Sequence, residues 1–380
     1  MATGVVSSYD LTVGLIVNMD EGIYLYDADD LPLLTGVGAD GMSVLSSAPV
    51  DQVEFSWLDE QRLTPRSQLA AAATTAETTF TVQTNDGLKF STGDVVMVRK
   101  ANGSEIARIT GISSDALTVT RGLAGTATNY ASGAEILGLG TALAEGSAPQ
   151  NFRAQDTTKR TNCTQIFGPS QIQMTGTDRV IPRYGIPDQW AHQLRLRQFE
   201  SAVAMEQAYL YGGYYNSTTT KIRTTGGLRY FISTNLDTTS TQLTVTAVQS
   251  LLQKCYNRGG LPDRLIANPV AMSDLNDITN TSVVRVTDVD SQRGRVRAAF
   301  LETEYGSLSL VRNRYAAGTD AFLVKRDGVK RRRLRPMQFK MLGAVGDYDQ
   351  GIFLCEEGLQ VKGEKHMAML NTLGYNAGLL

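Results

Sequence analysis

The side chains that most often carry catalysis or hold metals are scarce in this sequence. It has two histidines, His192 and His366, and three cysteines, Cys163, Cys255 and Cys355, among 380 residues. The histidines are far apart and have no metal-ligand residues beside them, which argues against a zinc site or a hydrolase triad. The cysteines form no CxxC pair and are too scattered for a disulfide framework. We therefore expect each cysteine to be buried and to pack as a small hydrophobic residue.

Two short patterns match ligand-binding motifs in spacing only. The first is G-x-G-x-x-G at Gly36, Gly38 and Gly41. A dinucleotide site needs a long helix directly after the glycines, because the helix N-terminus holds the pyrophosphate. The following segment contains Pro49 and cannot supply that helix, so we predict no cofactor.

The second pattern is a partial calcium loop at Asp288, Asp290 and Gly294. The glycine stands one place late, and position twelve is Ala299 instead of the glutamate that binds calcium through both carboxylate oxygens. We therefore predict no metal site, no catalytic residues and no enzymatic activity.

One charged segment remains as a candidate site. From Lys325 to Lys340 the sequence KRDGVKRRRLRPMQFK has eight basic residues and one acidic residue, Asp327, although the formal net charge of the chain is -2. Such a cluster suits either DNA or carboxylates on a neighbouring subunit, and we favour the subunit contact. The candidate residues are Lys330, Arg331, Arg332, Arg333 and Arg335.

Composition places the chain among ordinary globular proteins. With 380 residues, of which 42% are hydrophobic, it has room for two or three domains. It contains no run of eighteen apolar residues, and the N-terminal patch LTVGLIV lacks a basic segment before it. We expect no membrane span and no secretory signal, and we expect the protein to be made in a cytosol.

A long helix is the clearest predicted element. Asp188 is placed to cap its start, and Gly212-Gly213 is expected to end it with left-handed backbone, after an interior without Gly or Pro. Its apolar residues fall on two opposite faces, so we expect partners on both sides and charged seams between, one of them with Arg195 and Glu206. The faces are Trp190, Leu194, Met205, Ala208 and Tyr209, and Leu196, Phe199, Val203 and Leu210.

A separate β module is predicted at residues 64–144. Short segments with alternating apolar residues, such as TFTVQ, DVVMVR and ALTVTRG, are separated by turn signals at Asp86-Gly87 and Asn102-Gly103. Polar, extended sequence precedes the module and resumes after it. The module therefore looks like an insertion at the tip of a two-stranded excursion, and its flanks should pair.

Helices and strands are mixed in the rest of the chain without a βαβ rhythm, which predicts the α+β class. A second helix is expected with a capping box at Thr246 and Gln249 and an end at Gly259-Gly260. Its apolar face is predicted to contain Val248, Leu251, Leu252, Cys255 and Tyr256. The segment RLIA reads as a buried strand and PVAMSDLNDI as a short helix.

The order of these features resembles the major capsid proteins of tailed double-stranded DNA bacteriophages, in the branch of the HK-ninety-seven-type fold that has an inserted β-domain. The resemblance covers nearly the whole chain, although each motif is short. Tyr130 stands where relatives often have histidine. The matching segments are Leu31-Pro32-Leu33, Phe55-Ser-Trp-Leu-Asp, Gly125-Thr-Ala-Thr, Asn162-Cys-Thr-Gln-Ile, Thr175-Gly-Thr, Tyr184-Gly and Gly226-Gly-Leu.

The resemblance implies a domain plan with a long spine helix, an extended loop and a small all-β insertion. The plan is: residues 1–63, N-terminal arm and first limb of the extended loop; 64–144, inserted domain; 145–186, returning limb; 187–235, peripheral domain with the spine helix; 236–335, axial domain; 336–380, return to the core. Because the insertion occupies the loop tip, we expect none of the lysine cross-linking known in some members.

The function implied is structural. The subunit would assemble with itself into hexamers and pentamers of an icosahedral head around double-stranded DNA, in the cytoplasm of a bacterial host, with Gly226-Gly227 as a hinge. Scaffold, portal and decoration proteins would be partners, and packaged DNA would be touched non-specifically. The alternative is a phage surface or carbohydrate-binding protein that uses the β-domain for recognition.

Overall fold

The structure is a computed structural model, and it describes residues 31–34, 45–60, 64–100, 103–146, 157–183, 186–276, 284–289, 296–343 and 346–374. Most of the predicted arm and the Gly36 motif lie outside these residues. The chain forms two compact units. The first comprises Met1–Trp57 and Arg160–Leu380, and the second comprises Leu58–Lys159.

Helices and strands are mixed as the sequence predicts, and the class is α+β. The helices are α1 (Gly176–Val180), α2 (Gln189–Tyr211), α3 (Leu228–Phe231), α4 (Val245–Asn257) and α5 (Pro269–Asn276). The strands are β1 (Ser46–Pro49), β2 (Glu54–Asp59), β3 (Arg66–Gln68), β4 (Thr79–Thr81), β5 (Asp94–Lys100), β6 (Gly103–Ser113), β7 (Ala116–Ala124), β8 (Glu135–Thr141), β9 (Thr158–Cys163), β10 (Gln165–Thr175), β11 (Tyr215–Asn216), β12 (Arg223–Thr224), β13 (Leu236–Asp237), β14 (Arg264–Ala267), β15 (Val284–Val289), β16 (Val296–Thr303), β17 (Gly306–Arg312), β18 (Ala321–Val324), β19 (Val329–Leu342), β20 (Tyr348–Val361) and β21 (Ala368–Leu370).

The second unit is a small β-barrel. Its strands follow the order β3-β8-β5-β6-β7-β4, and Leu69 bridges to Val82 just beyond the two outer strands. This bridge joins β3 to β4 and closes the sheet, so the barrel has no long free edge. Phe80, Phe90 and Tyr130 are buried inside it with aliphatic residues of the other strands.

An ion pair is buried in the barrel core. Arg121 donates two hydrogen bonds to Glu105, at 3.0 and 2.7 Å, and its guanidinium lies 5.1 Å from the ring centre of Phe80. Tyr130 flanks it on another side at 5.7 Å. A planar cation fits between two rings and a carboxylate better than an ammonium does, which explains arginine at this position.

The strands that flank the barrel pair with each other, as predicted. β2 and β9 form a two-stranded sheet, and the boundaries between the two units fall within these strands. The predicted excursion is therefore a strand pair. Trp57 on β2 is buried against Phe231, with ring centres 5.4 Å apart.

The first unit contains a four-stranded sheet with α2 packed across one face. The strand order is β1-β19-β20-β10, in which β1 runs parallel to β19 and the other neighbours are antiparallel. Phe167 on β10 packs edge-on against Tyr209 of α2, with ring centres 6.1 Å apart. Cys355 on β20 contacts Met205, with the two sulfurs 3.4 Å apart.

Both ends of α2 lie where the sequence predicts, but the backbone at its C-terminal cap differs from the prediction. Asp188 caps the helix and accepts hydrogen bonds from the backbone of Trp190 and Ala191. Gly212 follows the last helical residue with φ -55, which is not left-handed. Glycine is needed for another reason: a Cβ at Gly212 would collide with the carbonyl oxygens of Ala208 and Thr225.

Burial along α2 is uneven. Near its C-terminal end Met205 and Tyr209 of one predicted face and Leu210 of the other are buried, whereas the residues before Ser201 are only partly covered. Glu206 was predicted on a charged seam between the two apolar faces and is fully buried. It accepts hydrogen bonds from the backbone of Leu33 at 3.2 Å and from Asn313 at 2.7 Å, which explains its burial.

A seven-stranded sheet forms the other half of the first unit. Its order is β13-β21-β18-β14-β17-β16-β15, and β14 is buried along its whole length, as the segment RLIA predicts. The partial calcium loop falls between the paired strands β15 and β16, partly outside the described residues. A calcium loop of that type lies between helices, so this strand context disagrees with it.

The cap of α4 was assigned to the wrong threonine. The helix begins two residues earlier than predicted, and Thr244, not Thr246, accepts a hydrogen bond from the backbone of Ala247 at 3.2 Å. Ala247 occupies the place of the capping-box glutamine, so no reciprocal bond forms. Tyr256 of the predicted apolar face is exposed, while the other four predicted residues are buried.

The three cysteines are buried and unpaired, as expected. Among the described helices, none combines the length and the apolar character that a membrane crossing requires.

Candidate assembly site

The predicted basic cluster lies on β19, next to the acidic pair Glu356-Glu357 on β20. Arg333 is directly opposite Glu357, and Arg335 is opposite Glu356 across a bulge. Successive side chains of a strand point to opposite faces of its sheet. The cluster is therefore divided between the two faces of the four-stranded sheet.

The face that packs against α2 holds a buried ion network around Glu357. Arg331 donates two hydrogen bonds to this carboxylate, at 3.0 and 2.8 Å, and Arg333 lies 3.2 Å from it. The hydroxyl of Tyr209 donates to the same group at 3.0 Å. Burial, followed by the nearby charge of Glu357, raises the pKa of Tyr209 well above its usual value, so this hydroxyl stays a neutral donor.

The opposite face holds a second network around Glu356. Its carboxylate accepts from Arg335 at 2.9 Å, from Arg223 at 2.8 Å and from Thr164 at 3.0 Å. Glu356 is also buried, so each carboxylate of the pair is compensated by arginines on its own face. The two adjacent glutamates thus point to opposite faces, and each forms salt bridges.

Two members of the cluster have no carboxylate in ion-pair range among the described residues. Arg332 donates to the side chain of Gln360 at 2.9 Å and to the backbone of Pro49 at 3.3 Å, which attaches β1 to the sheet. Lys330 is next but one along β19 and therefore points to the same face as Arg332. Among the described residues, these two cations of the cluster are the ones without a compensating carboxylate.

Sequence reasoning identified the cluster but missed most of its partners. Arg223 comes from the hairpin after α2 and Tyr209 from α2 itself, more than a hundred residues away from β19. The acidic pair is the one partner that the sequence makes visible, as two adjacent glutamates. A hairpin between β19 and β20 brings this pair next to the basic cluster. Its register, which includes bulges, was not readable from the sequence.

A second surface feature lies where β10 ends and α2 begins. A cleft of about 310 Å³ is lined there by Met174, α1, the segment after α1 and Trp190. Val180 and Ile181 are 82% and 56% exposed beside it. Charged residues, among them Asp178, Arg179 and Arg183, line the same cleft. The cleft therefore combines apolar and charged side chains, as contacts with another protein commonly do.

No group of three or more His, Cys, Asp or Glu side chains in the described part of the chain could hold a metal ion. His192 lies in the half-covered first part of α2, and His366 follows β20 near Gly260. The structure thus places the two histidines on separate elements of the first unit.

A long helix packed across one face of a β-sheet, together with a second mixed sheet, is the arrangement of an HK-ninety-seven-like coat protein. Comparisons with solved structures agree on this fold. The chain is similar to a protein of the Mycobacterium phage Bobi, with 8% identity, a TM-score of 0.53 and coverage of 97% of this chain and 99% of that one. It is also similar to a protein of the Microbacterium phage Oxtober96, with 11% identity, a TM-score of 0.51 and coverage of 96% and 98%.

A third similar structure is the capsid of a native GTA particle, with 8% identity, a TM-score of 0.51 and coverage of 97% of this chain and all (100%) of that one. The family model of the SU10 major capsid protein matches residues 3–374. The chain belongs to this family and is a structural capsid protein of a bacteriophage virion. No curated protein matches the chain.

Proposed function

We propose that the protein assembles with copies of itself into hexamers and pentamers of a closed icosahedral head that encloses double-stranded DNA. The single observation that supports this most is the family match over residues 3–374, which includes both compact units. Assembly takes place in the cytoplasm of a bacterial host, and the subunit has no enzymatic role. Scaffold, portal and decoration proteins complete the list of proposed partners.

Electron microscopy of the purified full-length protein tests this proposal. The expected result is rings or closed shells, because many moderate interfaces add up in a closed assembly. Protein that stays monomeric at high concentration, with neither rings nor shells on the grid, contradicts it.

The domain roles are part of the same proposal. The pair β2 and β9 is the base of the extended loop, the barrel within residues 64–144 is the insertion, and α2 with its sheet is the peripheral domain. The seven-stranded sheet is the axial domain. The return to the peripheral domain is proposed at residue 336, which lies on β19; this strand begins at Val329 and belongs to the sheet under α2.

We infer that Lys330 and Arg332 meet carboxylates on a neighbouring subunit. Support comes from their uncompensated charge and from the attachment of Arg332 to β1. The test variant carries both Lys330→Ala and Arg332→Ala. The comparison variant carries both Arg331→Ala and Arg333→Ala, which removes the partners of the buried Glu357 and should therefore disturb folding itself.

In the first double variant, a normal fold with failed assembly supports the subunit contact. Normal empty shells with reduced DNA content would instead assign the two cations to packaged DNA. The fold is checked by circular dichroism, and the particles by sedimentation and nucleic-acid absorbance.

The alternative, a carbohydrate-binding role for the β-domain, is not favoured. Sugar recognition commonly uses exposed aromatic rings, and the aromatic residues of residues 64–144 are Phe80, Phe90 and Tyr130. All three are at most 4% exposed in the barrel core. They stabilise the barrel and offer no stacking surface.

A further inference from the structure

One edge of the four-stranded sheet differs from the other strand edges in the described residues. β10 is the outermost strand, and no other described strand pairs with its free side. Its eleven residues, QIFGPSQIQMT, contain no charged side chain, and its one proline, Pro169, lies at the bulge between Phe167 and Ser170, so the regular and uncharged stretch is Ser170 to Thr175. Unpaired backbone groups on a long edge strand are a template for another strand, and proteins usually block such edges with charge, proline or short length.

The other open edges of the four-stranded and seven-stranded sheets are short or carry charged residues or proline. β1 is four residues long and ends at Pro49, and β13 has two residues. β15 carries Arg285 and Asp288, and the part of β19 beyond β1 carries Pro336 and Lys340. The barrel is closed by its Leu69–Val82 bridge.

The side chains of β10 beyond its bulge suit a paired strand. Ile172 and Met174 are buried on the α2 side, while Gln171, Gln173 and Thr175 are exposed on the other. Gln171 already donates to Gln350 of the neighbouring strand at 3.3 Å. Buried and exposed side chains alternate along this uncharged segment. One of its edges pairs in register with β20, and its other edge has no partner strand among the described residues.

We propose that β10 pairs antiparallel with β10 of a second copy of the chain across a two-fold axis, which joins two four-stranded sheets into one. This proposal rests on the proposed self-assembly. A two-fold contact places residue i of one copy opposite residue j of the other and j opposite i, so identical residues meet only near the axis. The proposed axis lies near Gln173, an exposed residue in the regular stretch Ser170 to Thr175, and like charges at such a position are destabilising. β10 has no charged residue to place there, whereas the open part of β19 carries Lys340.

The surroundings of β10 favour the same arrangement. In an antiparallel pair the start of one strand lies beside the end of the other. Ile166 at the start is 45% exposed, and Val180 and Ile181, just beyond the end, are 82% and 56% exposed. The two-fold pairing therefore brings exposed apolar residues of one copy toward those of the other and removes them from water.

Cysteine cross-linking in the full-length protein tests the pairing. Gln173→Cys and Gln171→Cys place a thiol on the exposed face, and Gln338→Cys on β19 is the control in an exposed position of the same sheet. Directly opposite residues lie about 4.5–5.5 Å apart and diagonal ones about 7–8 Å, so a short bis-maleimide spans both. Natural cysteines react slowly, because burial raises the pKa of Cys163 to about 11 and of Cys255 and Cys355 to about 12.

We expect covalent dimers from at least one β10 variant in assembled particles and none above background from Gln338→Cys. Particles that form normally but give no β10 dimer overturn the pairing and leave the proposed function intact. Wild-type protein that forms no particles overturns the proposed function itself.

A charge-exchange experiment separates direct pairing from a general effect on the strand. Gln173→Lys and Gln173→Glu should each lose particles, while the control Gln338→Lys assembles. Co-expression of the two Gln173 variants should restore particles, since Lys of one copy then lies against Glu of the other. Failure of the mixture to assemble, when both variants keep the wild-type circular dichroism and melting temperature, overturns the pairing.

Discussion

At the scale of single residues, Glu357 connects three segments of the first unit. Its buried carboxylate receives Arg331 and Arg333 of β19 and the hydroxyl of Tyr209 on α2. A buried charge is tolerated when it is compensated, and removal of one partner leaves the others without compensation. The network thus makes the packing of α2 on the sheet sensitive to one side chain.

Glu357→Ala should lower the free energy of unfolding of the first unit by about 3–5 kcal/mol, because Arg331 is left buried without its carboxylate. Urea denaturation of unassembled subunits, followed by tryptophan fluorescence, measures it. Both tryptophans, Trp57 and Trp190, belong to the first unit, so the signal reports that unit alone. Glu200→Ala is the control, since its pair with Arg197 is exposed and should change stability by less than about 1 kcal/mol.

Asp237 gives the first unit a pH dependence. Burial opposes its ionisation, but hydrogen bonds from the side chains and backbone of Ser240 and Thr239 outweigh burial and lower its pKa to about 2. A carboxyl whose folded pKa is depressed adds stability above its unfolded pKa, which is about 3.9. That stability is lost as the pH falls through about 4 toward 2.

Asp237→Asn removes this contribution, so the stability difference between wild type and variant should shrink as the pH is lowered from about 5 to 2. Urea denaturation at several pH values measures it. A difference that stays constant over that range would show that the Asp237 carboxylate does not titrate as described.

At the scale of elements, the contact between α2 and the segment after it depends on close backbone approach. Gly226-Gly227 was predicted as a hinge, but the backbone of Gly226 donates to buried Asn162 at 2.8 Å. A Cβ on Gly227 would lie 2.7 Å from the carbonyl oxygen of Ala208 and 2.8 Å from that of Tyr209. Glycine is required at position 227 because a side chain would not fit there.

Gly227→Ala should therefore destabilise the first unit by about 1–3 kcal/mol, as overpacking does. Gly213→Ala is the matched control, because nothing lies within 4 Å of its Cβ. At a position with compatible backbone, Gly→Ala is neutral or stabilises by up to about 1 kcal/mol. Equal losses in both variants would contradict the packing explanation.

The barrel should fold as an isolated element. It has its own closed sheet and its own core, and the ion pair of Arg121 with Glu105 is internal to it. A fragment of residues 58–159 is expected to unfold cooperatively by circular dichroism. Arg121→Met should lower its stability by about 3–5 kcal/mol, because the fully buried Glu105 loses its partner. A fragment that shows no cooperative transition contradicts this expectation.

At the scale of the whole molecule, three surfaces suited to contacts with other copies lie on the described part of the first unit: the uncharged edge of β10, the cleft at α1 and the pair Lys330 and Arg332. The barrel buries its aromatic residues, closes its edges and exposes leucines such as Leu88 and Leu123. A deletion that replaces residues 64–144 by a short turn between β2 and β9 should therefore keep the fold of the first unit. Circular dichroism and tryptophan fluorescence of the shortened chain measure that outcome.

Local sequence alone determined much of this protein. The cap at Asp188, the buried strand RLIA, the strand-rich module and the pairing of its flanks followed from side-chain chemistry and periodicity, because these features depend on neighbours within a few residues or on one alternation. The sequence also located the basic cluster, because eight basic residues occur within sixteen consecutive positions.

Only the tertiary structure decided what those cations do. Glu356, Glu357, Arg223 and Tyr209 reach the cluster from other elements, and strand alternation then separates it into two buried networks and one outward pair. The same holds for Glu206 and for Gly212, whose roles depend on Asn313, Leu33 and Thr225. These contacts join residues that are far apart in the sequence. A local sequence pattern cannot specify which distant residue will lie next to a given side chain in the folded protein.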